Sequence, residues 1–233
     1  MITPLETGNL KLETWLMSCP ICEIRKEKRF CPAVHGRICP ICCGREREVT
    51  LDCPSSCEYL QQARRSERPR PVAELDQEAL FPKVQVRENF IYEREPLIVG
   101  LSHGVAKMAR ADRSINDRDA IAAITALAKK YQTLAGSGLY YETAVTSVPQ
   151  QQIVAELEKM IAQYRELEQK HLGYATLKDS EALEALVFLV RMAHGRTSGR
   201  PKSRAFLDFL FQQFPEKSGV VAPAEAGSRL IVP

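Results

Sequence analysis

The chain has 233 residues, of which 45% are hydrophobic and 26% are charged, and its formal net charge is +3. This composition is ordinary for a folded globular protein and excludes the fibrous and disordered classes, while the charge is too small to indicate nucleic-acid binding by itself. No apolar run is long enough to span a membrane, and the first residues lack the basic start and apolar run of a secretory signal. We therefore expect a cytoplasmic protein without a membrane partner.

The predicted domain order follows from where cysteines, prolines and helical periodicity fall along the chain. The eight cysteines lie close together near the N-terminus, so residues 18–63 are predicted to form a Cys-rich two-zinc finger. Residues 64–82 are polar and contain several prolines, which is typical of a linker. Residues 83–215 are predicted to form an all-α domain, and residues 216–233 lack helical periodicity and are predicted to be a disordered tail.

The cysteine segment contains the same tetrapeptide, Cys-Pro-Ile-Cys, at residues 19–22 and 39–42. Its proline fixes one backbone angle and removes one N–H group, so that the turn directs its other amides at the sulfurs while both thiolates converge on one ion. The segment has nine candidate metal ligands, namely Cys19, Cys22, Cys31, His35, Cys39, Cys42, Cys43, Cys53 and Cys57. These residues are sufficient for two tetrahedral zinc sites, with one candidate to spare.

Two ways of sharing the ligands between two zinc ions agree with the spacing. In the crossed arrangement, which we favour, the ligands of the first ion are Cys19, Cys22, Cys39 and Cys42. The ligands of the second ion are then Cys31, Cys53 and Cys57, completed by His35 or Cys43. In the sequential arrangement, the first four candidates bind one ion and the last four bind the other.

Two elements are predicted between the second repeat and residue 63. The stretch REVTLD, residues 47–52, alternates apolar and polar residues and predicts a strand. The stretch CPSSCEYL predicts the start of a helix, with Pro54 in its first turn. Cys53 and Cys57 would then lie four residues apart on one face of that helix.

Basic residues surround the candidate ligands. They are Arg25, Lys26, Lys28, Arg29, Arg37, Arg45 and Arg47. Because a zinc ion held by four thiolates carries a net negative charge, these cations are expected to offset thiolate charge. A contact with phosphate groups of nucleic acid is the alternative.

Five segments of the C-terminal region carry apolar residues at helical spacing. They are residues 93–111, 116–138, 149–173, 179–195 and 202–215. Asn116 or Asp117 is expected to cap the second segment, and Pro149 and Gly173 suit the start and end of the third. We predict a bundle of about four to six helices. A basic loop, residues 191–204, separates the last two helices and is predicted to be a solvated connector, with contact to RNA or another anion as the alternative.

The order of the cysteine pairs resembles that of the crossed two-zinc fingers of the HIT, MYND and B-box kind. The likeness rests on CPIC, then Cys31 with a partner, then CPICC, then the pair Cys53 and Cys57. It departs from the HIT-type finger, whose last pair contains a histidine. The stretches RFCPA, CPICCG, REV, DCPSSCEYL and GRPKSRAFLDFL also resemble a group of uncharacterised bacterial proteins with an N-terminal zinc finger and a helical C-terminal region. The finger resemblance implies adaptor work through protein partners.

Other chemistries fit the sequence less well. A redox role for the CPIC turns needs a βαβ context that the surrounding residues do not show. Four thiolates can also hold an iron–sulfur cluster. The stretch GLSHG, Gly100–Gly104, matches the G-x-S-x-G pattern, but the strands that such a hydrolase site requires are not predicted around Ser102.

From these observations we predict a zinc-binding, non-enzymatic protein, with no catalytic residues and no organic cofactor. The zinc finger is predicted to be structural and to act in protein–protein recognition or as an adaptor. The alternative is a nucleic-acid-binding regulator that uses the basic finger and the loop at residues 191–204.

Overall fold

The computed structural model divides the chain into two compact units, Met1–Leu60 and Gln61–Pro233. The residues it describes are 18–67, 75–139 and 145–215. The predicted disordered tail, residues 216–233, lies outside the described residues, as does the middle of the predicted linker.

The first unit contains a small antiparallel hairpin and a short helix. Strand β1 is Arg29–Cys31 and strand β2 is Gly36–Ile38, with Cys31 opposite Gly36. Helix α1 is Pro40–Glu46, and helix α2, Glu58–Ser66, starts in this unit and crosses the division between the units. The buried side chains of this unit are mostly cysteines, so its hydrophobic core is small. Protein units with so small a core usually need disulfides, metal ions or oligomerisation for stability.

The predicted strand at residues 47–52 is wrong. The backbone N–H groups of Val49, Thr50 and Leu51 all donate to the carbonyl of Glu46, each at 3.1 Å. The chain therefore folds back over the C-terminal end of α1, where the last helical carbonyls need donors. The stretch forms a turn, and its apolar residue Leu51 packs against the cysteine cluster.

The second unit is helical, as predicted for the C-terminal region. Its helices in the described residues, after the end of α2, are α3 Phe90–Glu93, α4 Glu95–Ala111, α5 Asp117–Ser137, α6 Val148–Leu172, α7 Asp179–Arg196 and α8 Ala205–Gln213. Within the predicted linker, α2 continues to Ser66 and a short 3₁₀ helix spans Glu78–Leu80.

The ends of the longest helices agree with the capping residues in the sequence. The side chain of Asn116 accepts hydrogen bonds from the backbone N–H groups of Arg118 and Asp119, which begins α5. Pro149 lies in the first turn of α6, where its missing N–H group costs nothing. Gly138 and Gly173 end α5 and α6 in the left-handed conformation, with φ of 69° and 83°.

Helix α7 lies at the centre of the second unit. Its buried residues occupy nearly its whole circumference and include Leu183, Leu186, Val187, Val190 and Ala193, as predicted. It packs against α5, α4 and α8, while α4 and α5 both pack against α6. A Cβ at Gly104 would lie 3.4 Å from Met160, so this glycine marks a close approach of α4 to α6. Ser102 is buried within α4 and not at a strand-to-helix turn.

Two polar clusters join helices of the second unit to one another. The guanidinium of Arg94 forms hydrogen-bonded ion pairs with Glu181 at 3.0 Å and with Glu168 at 2.7 Å, and so joins the start of α4 to α6 and α7. The buried carboxylate of Asp117 accepts hydrogen bonds from the hydroxyl of Ser203 and from the backbone N–H groups of Phe206 and Leu207. The first residue of α5 thereby caps the N-terminus of α8.

Candidate metal centre

Four cysteines of the first unit bring their sulfur atoms together. All ligand atoms of Cys19, Cys22, Cys39 and Cys42 lie within 4.8 Å of one another. The sulfurs of Cys22 and Cys39 are 3.9 Å apart. A tetrahedral zinc ion with Zn–S bonds of about 2.3 Å has its sulfurs about 3.8 Å apart, so the four thiols fit one such ion. This set is the first site of the crossed arrangement.

The second CPIC turn is built on the N-terminus of α1. Cys39 is the N-cap residue, and its sulfur accepts a hydrogen bond from the backbone N–H of Cys42 at 3.3 Å. Pro40 occupies the first turn of the helix, as a proline can without loss of a hydrogen bond. The helix start therefore fixes both thiols and supplies an N–H group to the sulfur of Cys39.

The first CPIC turn is closed by backbone hydrogen bonds. The N–H of Cys19 donates to the carbonyl of Arg25 at 2.8 Å, and the N–H of Glu23 donates to the carbonyl of Cys19 at 2.7 Å. Glu23 has a φ of 54°, which turns the chain back after the second cysteine. A bridge between Ser18 and Lys26 completes this loop, so the first turn is not helical, unlike the second.

The surroundings of the four sulfurs favour the thiolate form at two of them, Cys19 and Cys22. Burial opposes ionisation of Cys19, but hydrogen bonds from the backbone N–H groups of Cys39, Cys22 and Ile21 outweigh it and lower the pKa of the thiol. Backbone N–H groups of Ile24 and Arg25 lower the pKa of Cys22 to about 6. Burial, together with hydrogen bonds to neighbouring thiols, raises the pKa of Cys42 to about 12. Four thiols this close cannot all ionise unless a cation is among them, and a divalent ion supplies that charge.

Arg25 has the role expected of the basic residues around the ligands. A hydrogen bond to Cys39 and the attraction of the Cys22 and Cys39 thiolates raise the pKa of its guanidinium. Arg29 lies in a similar position beside Cys43, with its guanidinium nitrogen 3.9 Å from the sulfur. It also stacks over the ring of Tyr59 at 4.6 Å. At least two of the predicted charge-offsetting residues therefore face cysteine sulfurs.

The other five candidate ligands do not form a second set as compact as the first among the described residues. They are Cys31, His35, Cys43, Cys53 and Cys57. Cys31 and Cys43 are buried in the same cluster as the four-thiol site. His35 lies exposed in the hairpin turn with a φ of 49°, next to Gly36.

The last cysteine pair does not lie on a helix, contrary to the prediction. Helix α2 begins at Glu58, after both cysteines, and the N–H of Cys57 donates to the carbonyl of Pro54 at 2.9 Å. Cys53 and Cys57 are therefore at the two ends of a tight turn. Burial raises the pKa of Cys53, and so do the nearby groups of Cys31, Cys57 and Glu48. These residues consequently lie around Cys53.

Glu48 is a residue of this region that the sequence did not point out. It is only 2% exposed and has a left-handed φ of 55°. Its backbone N–H donates to the sulfur of Cys53, which favours the thiolate there. This role has no signal in the sequence, because a glutamate in an apolar–polar alternation resembles the exposed residue of a strand.

The predicted basic loop, residues 191–204, is a loop only after Arg196, because α7 continues to that residue. Arg191 and Arg204, at the two ends of the segment, hold the helical unit together. The guanidinium of Arg191 donates to the carbonyls of Leu80 and Phe81, at 3.0 and 2.9 Å. That of Arg204 donates to the carbonyl of Ile115 at 2.8 Å. These two side chains join segments distant in the sequence and are unavailable for phosphate, so the loop is less solvated than predicted.

Comparisons of the chain with protein-family models, with curated proteins and with solved structures find no match. Among the described residues, the helices are too short or too polar to cross a bilayer.

Proposed function

We propose that the N-terminal unit is a structural zinc module that holds two zinc ions and recognises a protein partner. The observation that carries the proposal is the closed set of four thiols, Cys19, Cys22, Cys39 and Cys42. Because protein sulfurs would occupy all four positions around the ion, no position is left for a substrate or a reactive water. The module therefore acts through its shape and surface, without enzymatic chemistry.

The spacing of the sulfurs favours zinc over an iron–sulfur cluster. In a cluster, the thiolates bind different iron atoms and are separated by the cluster itself. Here the sulfurs of Cys22 and Cys39 are 3.9 Å apart, which suits ligands of a single ion. Soft thiolates in a tetrahedral set select zinc among the common divalent ions.

The second ion would be bound by Cys31, Cys53 and Cys57, with Cys43 as the fourth ligand. Support comes from the electrostatic influence of Cys31 and Cys57 on Cys53, and from the burial of Cys31 and Cys43 in one cluster. His35 is the weaker fourth candidate because it is exposed in the hairpin turn. Arg29 beside Cys43 would offset the charge of four thiolates.

The metal content of two matched variants tests the second site. Elemental analysis of the wild-type chain, purified reduced and without chelator, should give two zinc ions per chain. Cys43→Ser should lower the count to one, and His35→Ala should leave it at two. The reverse pattern would make His35 the ligand. A wild-type count of one would remove the second site.

The proposed recognition surface is the apolar part of the module that remains in contact with solvent. Ile24, Phe30 and Ile41 are 83%, 58% and 57% exposed. Phe30 pairs across the hairpin with the exposed Arg37. Large apolar side chains beside arginine are characteristic of protein–protein interfaces, and the cations favour a partner with acidic residues. Nucleic acid remains the second candidate for this basic surface.

The surface is tested by comparing three forms of the chain with intact metal. Quantitative co-purification compares wild type, Phe30→Ser and the matched control Tyr92→Ser. The control alters an exposed tyrosine of the helical unit. We expect a protein that binds to wild type and Tyr92→Ser but is lost with Phe30→Ser. Nucleic acid bound in place of protein, with an affinity that falls steeply with salt, would contradict the adaptor role.

A further inference from the structure

A cavity of about 650 Å³ lies in the helical unit between the middle of α5 and the C-terminal end of α7 with its following loop. This volume is within the range of about 300–1,000 Å³ that is typical of small-molecule sites. The described residues that line it include Arg118, Lys129, Lys130, Arg200 and His194, and none of the described lining residues is acidic. We call this cavity the α5 groove.

The side of α5 that lines the groove carries cations at both ends and small residues between them. Arg118, Ala122, Thr125 and Lys129 follow at intervals of four, three and four residues, so they lie on one face of the helix. Ile121 and Ala126 add apolar surface beside this row. Arg200 and His194 lie on the opposite wall. The groove therefore combines an apolar floor with positive charge around it.

The two end cations are not neutralised by the protein. Arg118 and Lys129 are exposed, and neither forms an ion pair with a carboxylate of the described residues. Lys130 differs, because Glu158 is its ion-pair partner. Because Arg118 and Lys129 form no ion pair among the described residues, their charges add a positive potential at the cavity that attracts anions.

The floor of the groove contains a hydroxyl oxygen without a hydrogen-bond partner. It is the Oγ1 atom of Thr125, which is buried and makes no hydrogen bond in the described structure. Buried hydroxyls are nearly always hydrogen-bonded, so a ligand that displaces the atoms covering this hydroxyl would gain a hydrogen bond there. The neighbouring alanines leave room for a flat group against the floor.

We propose that the α5 groove binds a small organic phosphate with a flat, apolar body, the class represented by a nucleoside monophosphate. The phosphate would contact the cations at the Lys129 end of the groove, and the ring would lie on Ile121 and Ala126. This site is independent of the zinc module, since every residue in it belongs to the helical unit. Its apolar floor distinguishes it from a surface that only attracts polyanions.

The test uses the full chain and isothermal titration calorimetry with AMP, GMP, CMP and UMP. Adenosine and inorganic phosphate are the probes that lack one half of the ligand. We expect at least one nucleotide to bind with a dissociation constant below about 100 µM, and both half-probes to bind at least about tenfold more weakly. Absence of nucleotide binding at about 1 mM would overturn the proposal. Equal binding by inorganic phosphate would also overturn it.

Matched variants locate the binding. Lys129→Glu should weaken nucleotide binding by at least about tenfold, whereas Lys159→Glu, the same charge change on the exposed face of α6, should leave it unchanged. Ala126→Trp should abolish binding by filling the groove, and circular dichroism checks that each variant is folded. Equal affinities of Lys129→Glu and Lys159→Glu would place the site elsewhere. An RNA oligomer that binds far more tightly than any mononucleotide would assign the groove to nucleic acid.

Discussion

The sulfur of Cys22 lies 3.9 Å from the sulfur of Cys39, although the two residues are seventeen positions apart in the chain. The two residues belong to different CPIC turns, so the repeated tetrapeptide does not make two copies of one site. Each turn supplies half of a four-thiol set, and Cys31, at the end of β1 between the two turns, is not part of that set. This relationship is the basis of the crossed arrangement.

Loss of one ligand of the four-thiol set should open the first site and expose the module to proteolysis without unfolding the helices. Cys19 is fully buried, and Cys19→Ser removes a thiolate from a unit whose core is mostly cysteine. In circular dichroism, the helical signal of residues 83–215 should be largely kept, while proteolysis should cleave within residues 18–60. Collapse of the whole helical signal would show that both units fold as one.

The ion-pair cluster at Arg94 should be a major source of stability in the helical unit. Arg94→Ala leaves Glu168 and Glu181 without their partly buried partner and should cost about 3 kcal/mol. The matched control is Arg87→Ala, an arginine half exposed that contacts Glu93 and Glu184 and should cost less than about 1 kcal/mol. Urea unfolding measures the free energy of unfolding of each variant, and equal losses would contradict the larger contribution of Arg94.

Glu168 should make stability depend on pH in the acid range. Burial alone would raise its pKa, but hydrogen bonds from Thr176 and Leu177 and the charge of Arg94 bring the pKa below its usual value. Since the folded-state pKa is the lower one, this stabilisation is complete above the unfolded-state pKa and is lost as pH falls through the folded-state pKa. Urea unfolding at neutral and acid pH should show that the free energy of unfolding falls less on acidification for Glu168→Gln than for wild type. An unchanged acid loss would contradict this role.

Asp117, which is far from α8 in the sequence, should stabilise the N-terminal end of that helix by direct hydrogen bonds. Asp117→Ala removes three hydrogen bonds, to Ser203, Phe206 and Leu207, and should cost about 2–3 kcal/mol. Asp112→Ala is the matched control, because its carboxylate caps only the exposed turn at Ser114 and should cost about 0.5–1 kcal/mol. Thermal unfolding of the two variants measures these losses of stability. A loss at Asp117 no larger than at Asp112 would contradict the capping role.

The sequence predicted the elements whose determinants are local. Helices α5 and α6 follow from apolar spacing together with Asn116, Pro149 and Gly173, all of which act within one turn of the helix end. The four-thiol set was predictable because two identical turns present equivalent pairs of thiols. In each case a short stretch of residues contains the whole physical cause.

The features that the sequence did not predict depend on partners elsewhere in the chain. The turn at residues 47–52 forms because the carbonyl of Glu46 accepts three N–H groups, which an alternating pattern does not reveal. The capping of α8 by Asp117 joins residues more than eighty positions apart. Likewise, the α5 groove exists only because the end of α7 lies beside α5.

The most direct test of the central claim is the zinc content of the double variant Cys22→Ala/Cys42→Ala, compared with wild type by native mass spectrometry. In the crossed arrangement both cysteines bind the same ion, so the double variant should contain one zinc ion fewer than the wild-type chain. In the sequential arrangement they bind different ions, and both ions should be lost. Loss of both ions, or a wild-type chain without zinc when purified reduced and free of chelator, would contradict the account.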